Sequence, residues 1–144
     1  MAPPHRLLIE EIAHAEVYAD RERTEQVLMN VLINAIKYAP EAEPIEVSVV
    51  ADEAMVTVRV HDHGPGIPAD QQARIFERFY RVTGSQQTQV VGLGLGLYLA
   101  AEIVKRQGGR IWVESIEGRG STFSFTLPRS PVAGIHEESK NALR

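Results

Sequence analysis

The 144-residue chain contains no cysteine, which excludes a disulfide framework and a thiolate metal site and agrees with a reducing compartment. No apolar run approaches the roughly 18 residues that a membrane span requires. The opening Met1-Ala-Pro-Pro-His-Arg6 lacks the apolar core of a signal peptide. A soluble, cytoplasmic segment without membrane contact is therefore expected, whether or not it belongs to a membrane-anchored protein. Basic excess is missing too: 15 Lys and Arg face 19 Asp and Glu, a formal charge of −4, which argues against a general nucleic-acid binder. Any anion site must then be locally basic. There is no internal repeat. None of the five histidines has metal-ligand spacing or a nearby nucleophile, and no Ser-His-Asp arrangement is visible. What the chain does have, 44% hydrophobic and 24% charged residues, is ordinary for one globular domain with a core.

From Asp20, a good N-cap, a helix is expected to run to about Tyr38, with apolar residues at 27, 28, 31, 32, 35 and 36 before Pro40 blocks it. Ile45 to Ala51 and Met55 to Asp62 alternate as strands around Asp52-Glu-Ala54. A short helix is expected over Ala69 to Phe76, and a further one begins behind the glycines at 92–96 and stops at Gly108-Gly109. Ile111 to Ser115 and Ser121 to Leu127 form a second hairpin around Glu117-Gly-Arg-Gly120. Hairpins instead of crossovers imply a mostly antiparallel sheet with about three helices gathered on one face, a two-layer α/β (α+β) sandwich. Residues 1–18 read as an N-terminal strand segment of the same domain, 19–128 as its body and 129–144 as a tail or short peripheral helix.

Three features carry possible chemistry. Gly92-Leu-Gly-Leu-Gly-Leu97 places three glycines before a helix start, where free N–H groups and the positive dipole end suit an anion. It lacks the sixth-position glycine of a dinucleotide fingerprint and the Lys-Ser/Thr of a Walker loop, so a packing or capping device is the competing reading. On the first long helix, Asn30, Asn34, Lys37 and Tyr38 share an arc roughly 100° wide at the edge of the apolar stripe. Such an arc lines a cleft or is simply a solvated boundary with a snorkelling lysine. In the second strand Val56, Val58 and Val60 face one way and Thr57, Arg59 and His61 the other, so Asp62 turns to the valine side and needs a hydrogen-bond partner there. Gly64-Pro65-Gly66 forms a tight turn behind it, which is also an ordinary Asp-x-Gly turn signal. Arg74, Arg78 and Arg81 are available as positive charge for a phosphate, while Phe76 and Phe79 read as core anchors.

In this order the segments resemble the catalytic, ATP-binding domain of sensor histidine kinases, within the superfamily that includes the gyrase and Hsp90 ATPases and shares the Bergerat fold. Gln26-Val-Leu-Met-Asn-Val-Leu-Ile-Asn-Ala-Ile-Lys-Tyr38 is similar to the family's N box and Asp62-His-Gly-Pro-Gly-Ile67 to its first glycine box. Ile75-Phe-Glu-Arg-Phe79 is similar to the F box and Gly92-Leu-Gly-Leu-Gly-Leu97 to the second glycine box; the match covers roughly residues 19 to 128.

The resemblance implies ATP and Mg²⁺ as ligands, a mixed, mostly antiparallel sheet, and roles for particular residues. Asn34 would bind Mg²⁺, Lys37 would meet phosphate, and Tyr38 would flank the nucleoside. Asp62 would accept a hydrogen bond from the adenine amino group with Thr122 and a water nearby, and Gly64, Gly66, Ile67 and Tyr80 would complete the nucleotide site. Gly92, Leu93, Gly94, Leu95, Gly96 and Leu97 would belong to a flexible lid over the phosphates, with Leu93 standing where the family often has Thr or Ser. Arg78 and Arg81 would join Asn30 and Lys37 in catalysis. Hydrolysing relatives and anti-sigma-factor serine kinases usually carry a glutamate base four residues before the metal-binding asparagine; here the residue is Asn30, which favours transfer to a protein acceptor. No His-Glu-x-x-Arg-type acceptor box precedes residue 19, so the implied partners are a histidine-bearing dimerisation domain, in cis or in trans, and a response regulator downstream. A nucleotide-sensing module without phosphotransfer is the alternative from another class.

Overall fold

The computed structural model describes residues 7–12, 15–38, 43–80 and 95–131. Helix α1 (Arg21–Tyr38) begins where the Arg23 N–H donates to Asp20 Oδ1 at 2.9 Å, the expected N-cap. Its fully buried stripe is Val27, Val31 and Ala35, one residue per turn, flanked by the partly buried Leu28 and Leu32. Ile36, also expected in the stripe, is 45% exposed, so the buried face is narrower than the apolar pattern. Helix α2 (Gly96–Arg106) buries Ala100, Ile103 and Val104.

The two helices are tied end to end by Gln107. Its Oε1 accepts the Asp20 N–H at 2.6 Å and its Nε2 donates to Thr24 Oγ1 at 3.4 Å, so one buried amide satisfies a backbone donor at the start of α1.

The strands β1 (Leu7–Ile12), β2 (Ile45–Ala51), β3 (Met55–Asp62), β4 (Ile111–Ile116) and β5 (Gly120–Pro128) form one sheet in the order β1-β2-β3-β5-β4. β1 runs parallel to β2 and every other pairing is antiparallel, so the sheet is mixed and mostly antiparallel, as expected. Side-chain alternation sends Val56, Val58 and Val60 of β3 and Phe123, Phe125 and Leu127 of β5 to the helix side. There Val58, Val60, Phe123, Phe125 and Leu127 close one core against α1 and α2, each fully buried side chain contributing about 1.5–3 kcal/mol. The architecture is the anticipated two-layer sandwich.

One element departs from expectation. Residues 69–76 do not form an α-helix: a single 3-10 turn (Ala69–Gln71) is followed by further turns. The backbone bonds all close over three residues, Gln71 to Pro68, Arg74 to Gln71 and Glu77 to Arg74. Tertiary anchors override helix propensity here. Ile75 is buried, the Phe76 ring meets Phe123 edge-on at 6.2 Å, and Gln72 Nε2 donates to the carbonyls of Ile67 and Ser115. The described residues therefore hold two α-helices and a 3-10 turn where about three helices were expected.

Candidate active site

Asp62 is the last residue of β3 and the valine phase turns its carboxylate under the helix layer, where it is only 4% exposed. Loss of water raises its pKa above the usual carboxylate range; the Gly64 amide, His61, His63 and the Ser121 backbone pull it partly back. The Gly64 N–H donates to Asp62 Oδ1 at 2.8 Å. A buried acid whose carboxylate is held by backbone donors is suited to accept a further hydrogen bond from a ligand's amino group.

The turn that follows is held from three sides. Gly66 has φ 77°, in the left-handed region, and a Cβ there would lie 2.5 Å from the Ile116 carbonyl oxygen. Ile67 is buried and its N–H donates to Ser115 Oγ at 2.8 Å, while the Gly118 N–H donates to the Pro65 carbonyl at 2.6 Å. Gly64 sits so close to the end of α1 that a Cβ would come within 2.7 Å of the Tyr38 carbonyl oxygen. Asp62, Gly64, Gly66, Ile67 and Tyr38, dispersed in sequence, are thus brought together.

Helix α1 forms the adjoining wall. Asn30 Nδ2 donates to the carbonyl of Gly96 at 3.2 Å, fixing the first residue of α2 against the middle of α1. One turn further along, Asn34 is half-buried, and among the described residues its side chain has no hydrogen-bond partner. Lys37 is exposed in the last turn. The polar arc read from helix periodicity therefore joins the Asp62 turn at one end and the glycine-started helix at the other, with Leu95 and Leu97 flanking Gly96.

Other expected site residues have prior engagements. Tyr80 donates its hydroxyl to Gln71 Oε1 at 2.8 Å and carries the Arg74 guanidinium 4.7 Å above its ring. Arg78 donates to Tyr98 Oη at 2.9 Å and lies 4.9 Å over that ring, linking the turn region to α2. Arg81, Gly92, Leu93 and Gly94, and with them most of the expected lid, lie outside the described residues.

Two expectations need correction. Phe79 is not a core anchor: it is 62% exposed and has φ 66°, the one positive φ outside glycine among the described residues. Thr122 does not lie beside Asp62. The β3–β5 register pairs Asp62 with Ser121 and His61 with Thr122, and strand alternation sends Thr122 to the outer face, where its Oγ1 lies 2.8 Å from His61 Nδ1. The buried Ser121 occupies the Asp62 side instead, its Oγ 2.9 Å from Ser115 Oγ. Counting back in twos from Phe125 and Phe123, both apolar and inward, would have found it.

Residues 19–131 match the family described as histidine kinase-, DNA gyrase B-, and HSP90-like ATPase. The chain belongs to this family. Sensor histidine kinase WalK of Bacillus subtilis is 42% identical over 114 residues, covering 78% of this chain and 19% of that protein. Adaptive-response sensory kinase SasA of Rippkaea orientalis is 45% identical over 113 residues, 78% of this chain and 28% of that one. The chain thus spans less than a third of these relatives. Among solved structures, the mycobacterial sensor histidine kinase MprB superposes with TM-score 0.77 at 27% identity, covering 88% of this chain and 86% of that one. The catalytic domain of histidine kinase ThkA gives 0.74 at 32% identity, over 88% and 81%. Full-length ShkA in complex with AMPPNP gives 0.71 at 30%, over 88% of this chain and 27% of that one. The fold is that of an ATP-using histidine kinase catalytic domain. No helix among the described residues is long and apolar enough to cross a membrane.

Proposed function

We propose that the chain binds ATP between α1 and the Asp62 turn and passes the γ-phosphate to a histidine on a separate dimerisation domain. The observation that carries this reading is the inward carboxylate of Asp62, buried, desolvated and met by the Gly64 amide and the Ser121 backbone, next to a helix edge bearing Asn34 and Lys37. The adenine amino group supplies the donor that such an acid needs. Recognition of AMPPNP by the full-length relative ShkA supports the same ligand class here.

In this reading Gly64 and Gly66 let the purine approach the backbone, Tyr38 borders the nucleoside, and Lys37 meets phosphate with Arg78 and Arg81 as further cationic groups. Ser121, not Thr122, stands with Asp62. Asn34 fits Mg²⁺, because a half-buried amide oxygen with no partner among the described residues is the hard, neutral donor that such an ion accepts alongside phosphate oxygens and water. When bound, the ion would neutralise phosphate charge. Asn30 contributes structure: its amide cannot take a proton near neutral pH and it donates to Gly96. Water is then poorly activated, and an imidazole nitrogen from outside the site is the better nucleophile. It attacks the γ-phosphorus, the bond to the β,γ-bridging oxygen breaks, and ADP departs with that electron pair. Positioning and charge neutralisation supply most of the acceleration, as is general for phosphoryl transfer.

Incubation with radiolabelled ATP, Mg²⁺ and a cognate dimerisation domain tests this. Acid-labile, base-stable label on histidine is expected. An acceptor of proven competence that stays unlabelled refutes the transfer, and label on serine instead would place the chain with the serine kinases. Onward passage to a response-regulator aspartate is the expected fate of the phosphate.

A further inference from the structure

The outer face of the sheet carries a cluster that the nucleotide site does not use. Glu46 on β2 is paired directly with His61 on β3, and His63 lies two residues beyond His61. A directly opposed pair on one face brings side chains within reach of each other, and a residue two further on returns to the same side. His63 Nε2 and Glu46 Oε1 are 2.8 Å apart, and the two imidazoles meet edge-on with centroids 4.7 Å apart. The expectation that no histidine has metal-ligand spacing is thus corrected: His61 and His63, two residues apart, share a face, and β2 supplies the carboxylate that completes the set.

We propose that Glu46, His61 and His63 bind a divalent transition-metal ion of the Zn²⁺ class. One ligand atom from each residue lies within 4.8 Å of the others. Ligands about 2.0–2.1 Å from one tetrahedral ion stand roughly 3.3 Å apart, so side-chain rotation of about 1.5 Å closes the set without moving the strands. Thr122 Oγ1 at 2.8 Å from His61 Nδ1 provides the outer contact that orients a metal-binding imidazole: with the proton on Nδ1 donated to the hydroxyl, the Nε2 lone pair is free for the ion. The Glu46–His63 contact holds the other two ligands close together before any ion arrives.

Two imidazoles and one carboxylate make the three-ligand set that Zn²⁺ takes with a fourth position left for water, and imidazole donors suit Zn²⁺ and Cu²⁺ over the hard cations. Mg²⁺ and Ca²⁺ prefer all-oxygen surroundings, so this ion is distinct in kind from the one suggested for Asn34. Its position is suggestive as well. His61 and His63 bracket Asp62 in sequence, so an ion would tie β2 to the strand end and turn that carry that acid on the opposite face.

The test is titration of the metal-stripped full chain with Zn²⁺ against a chromophoric chelator, with Co²⁺ absorption reporting coordination. One ion per chain is expected, with at least tenfold weaker binding in Glu46→Gln and in His63→Ala and no tetrahedral Co²⁺ bands in the double variant. Zn²⁺ should raise the unfolding temperature of the wild type and not of the double variant. Both side chains are partly solvent-accessible, so the variants are expected to fold, which melting without metal checks. Absence of Zn²⁺ binding by a folded wild type overturns the proposal. Equal Zn²⁺ affinity in the wild type and double variant does so too, since the ion would then sit on other groups. Displacement of Zn²⁺ by millimolar Mg²⁺ overturns the assigned metal class.

Discussion

Gly64→Ala isolates how closely the Asp62 turn is fitted to α1. Gly64 has no positive φ, so the substitution adds a methyl group without backbone strain. That methyl carbon would lie 2.7 Å from the Tyr38 carbonyl oxygen, 3.3 Å from its carbon and 2.9 Å from Asp62 Oδ1. Ordinary carbon–oxygen contacts begin near 3.3 Å, so the turn or the end of α1 must yield by about 0.6 Å. The first obstacle is backbone at the last residue of a helix, which cannot simply swing aside. Overpacking of this sort costs about 1–3 kcal/mol. Losing the Gly64 N–H bond to the carboxylate would add about 1.5–3 kcal/mol. At roughly 3–5 °C per kcal/mol for a chain of this length, thermal unfolding should fall by about 3 °C at least, and ATP affinity should fall with it because Asp62 is displaced. Differential scanning fluorimetry and calorimetric titration of the same preparation measure both. Gly96→Ala is the control for stability alone, since its added carbon meets only Asn30 Cβ at 4.0 Å. A Gly64→Ala protein that melts and binds ATP like the wild type, or a Gly96→Ala protein whose melting temperature falls as much, would refute the steric reasoning.

Three further outcomes are expected. Gln107→Leu leaves the Asp20 N–H and the Thr24 hydroxyl without their partner and should destabilise the fold by about 1–3 kcal/mol in urea unfolding; an unchanged midpoint contradicts a capping role. Asp52 accepts the N–H groups of Ala54 and Met55 at 2.8 Å each, and these bonds, Met55 first, hold its pKa below 3.8. A depressed acid stabilises the fold above its unfolded pKa and loses that contribution as pH falls through the folded value. The stability gap between wild type and Asp52→Asn should thus be constant near neutrality and shrink as pH falls from about 5 toward and below the lowered folded pKa; a gap that widens on acidification contradicts the assignment. Thr122→Val should leave ATP affinity within about twofold, whereas Ser121→Val should weaken it by about 1 kcal/mol or more, because only Ser121 shares the Asp62 face; the reverse ranking would restore Thr122.

Much of the candidate site's geometry could be read before the structure because it rests on short-range rules. The N-cap at Asp20 fixes the start of α1 and helix periodicity then places Asn30, Asn34, Lys37 and Tyr38 on one edge. Strand period two places Asp62 inward. Registers between distant strands could not be read so directly. The outward face of Thr122 follows from alternation along β5, but that Ser121 is the residue opposite Asp62 comes only from the β3–β5 pairing, as the Glu46–His61 contact comes from the β2–β3 register. Residues 69–80 resisted for a different reason. Their helix-like composition is overruled by Ile75 and Phe76 reaching the core and by Gln72 clamping the turn to β4, none of which leaves a local signature.

The central claim is that Asp62 reads adenine. Calorimetric titration of ATP and GTP into wild type and Asp62→Ala, with both proteins shown to be folded, tests it most directly. The wild type should prefer ATP, and the substitution should weaken ATP by about 1–3 kcal/mol, roughly five- to 150-fold, while leaving GTP little changed. An Asp62→Ala protein that keeps the wild-type preference for ATP over GTP would contradict it.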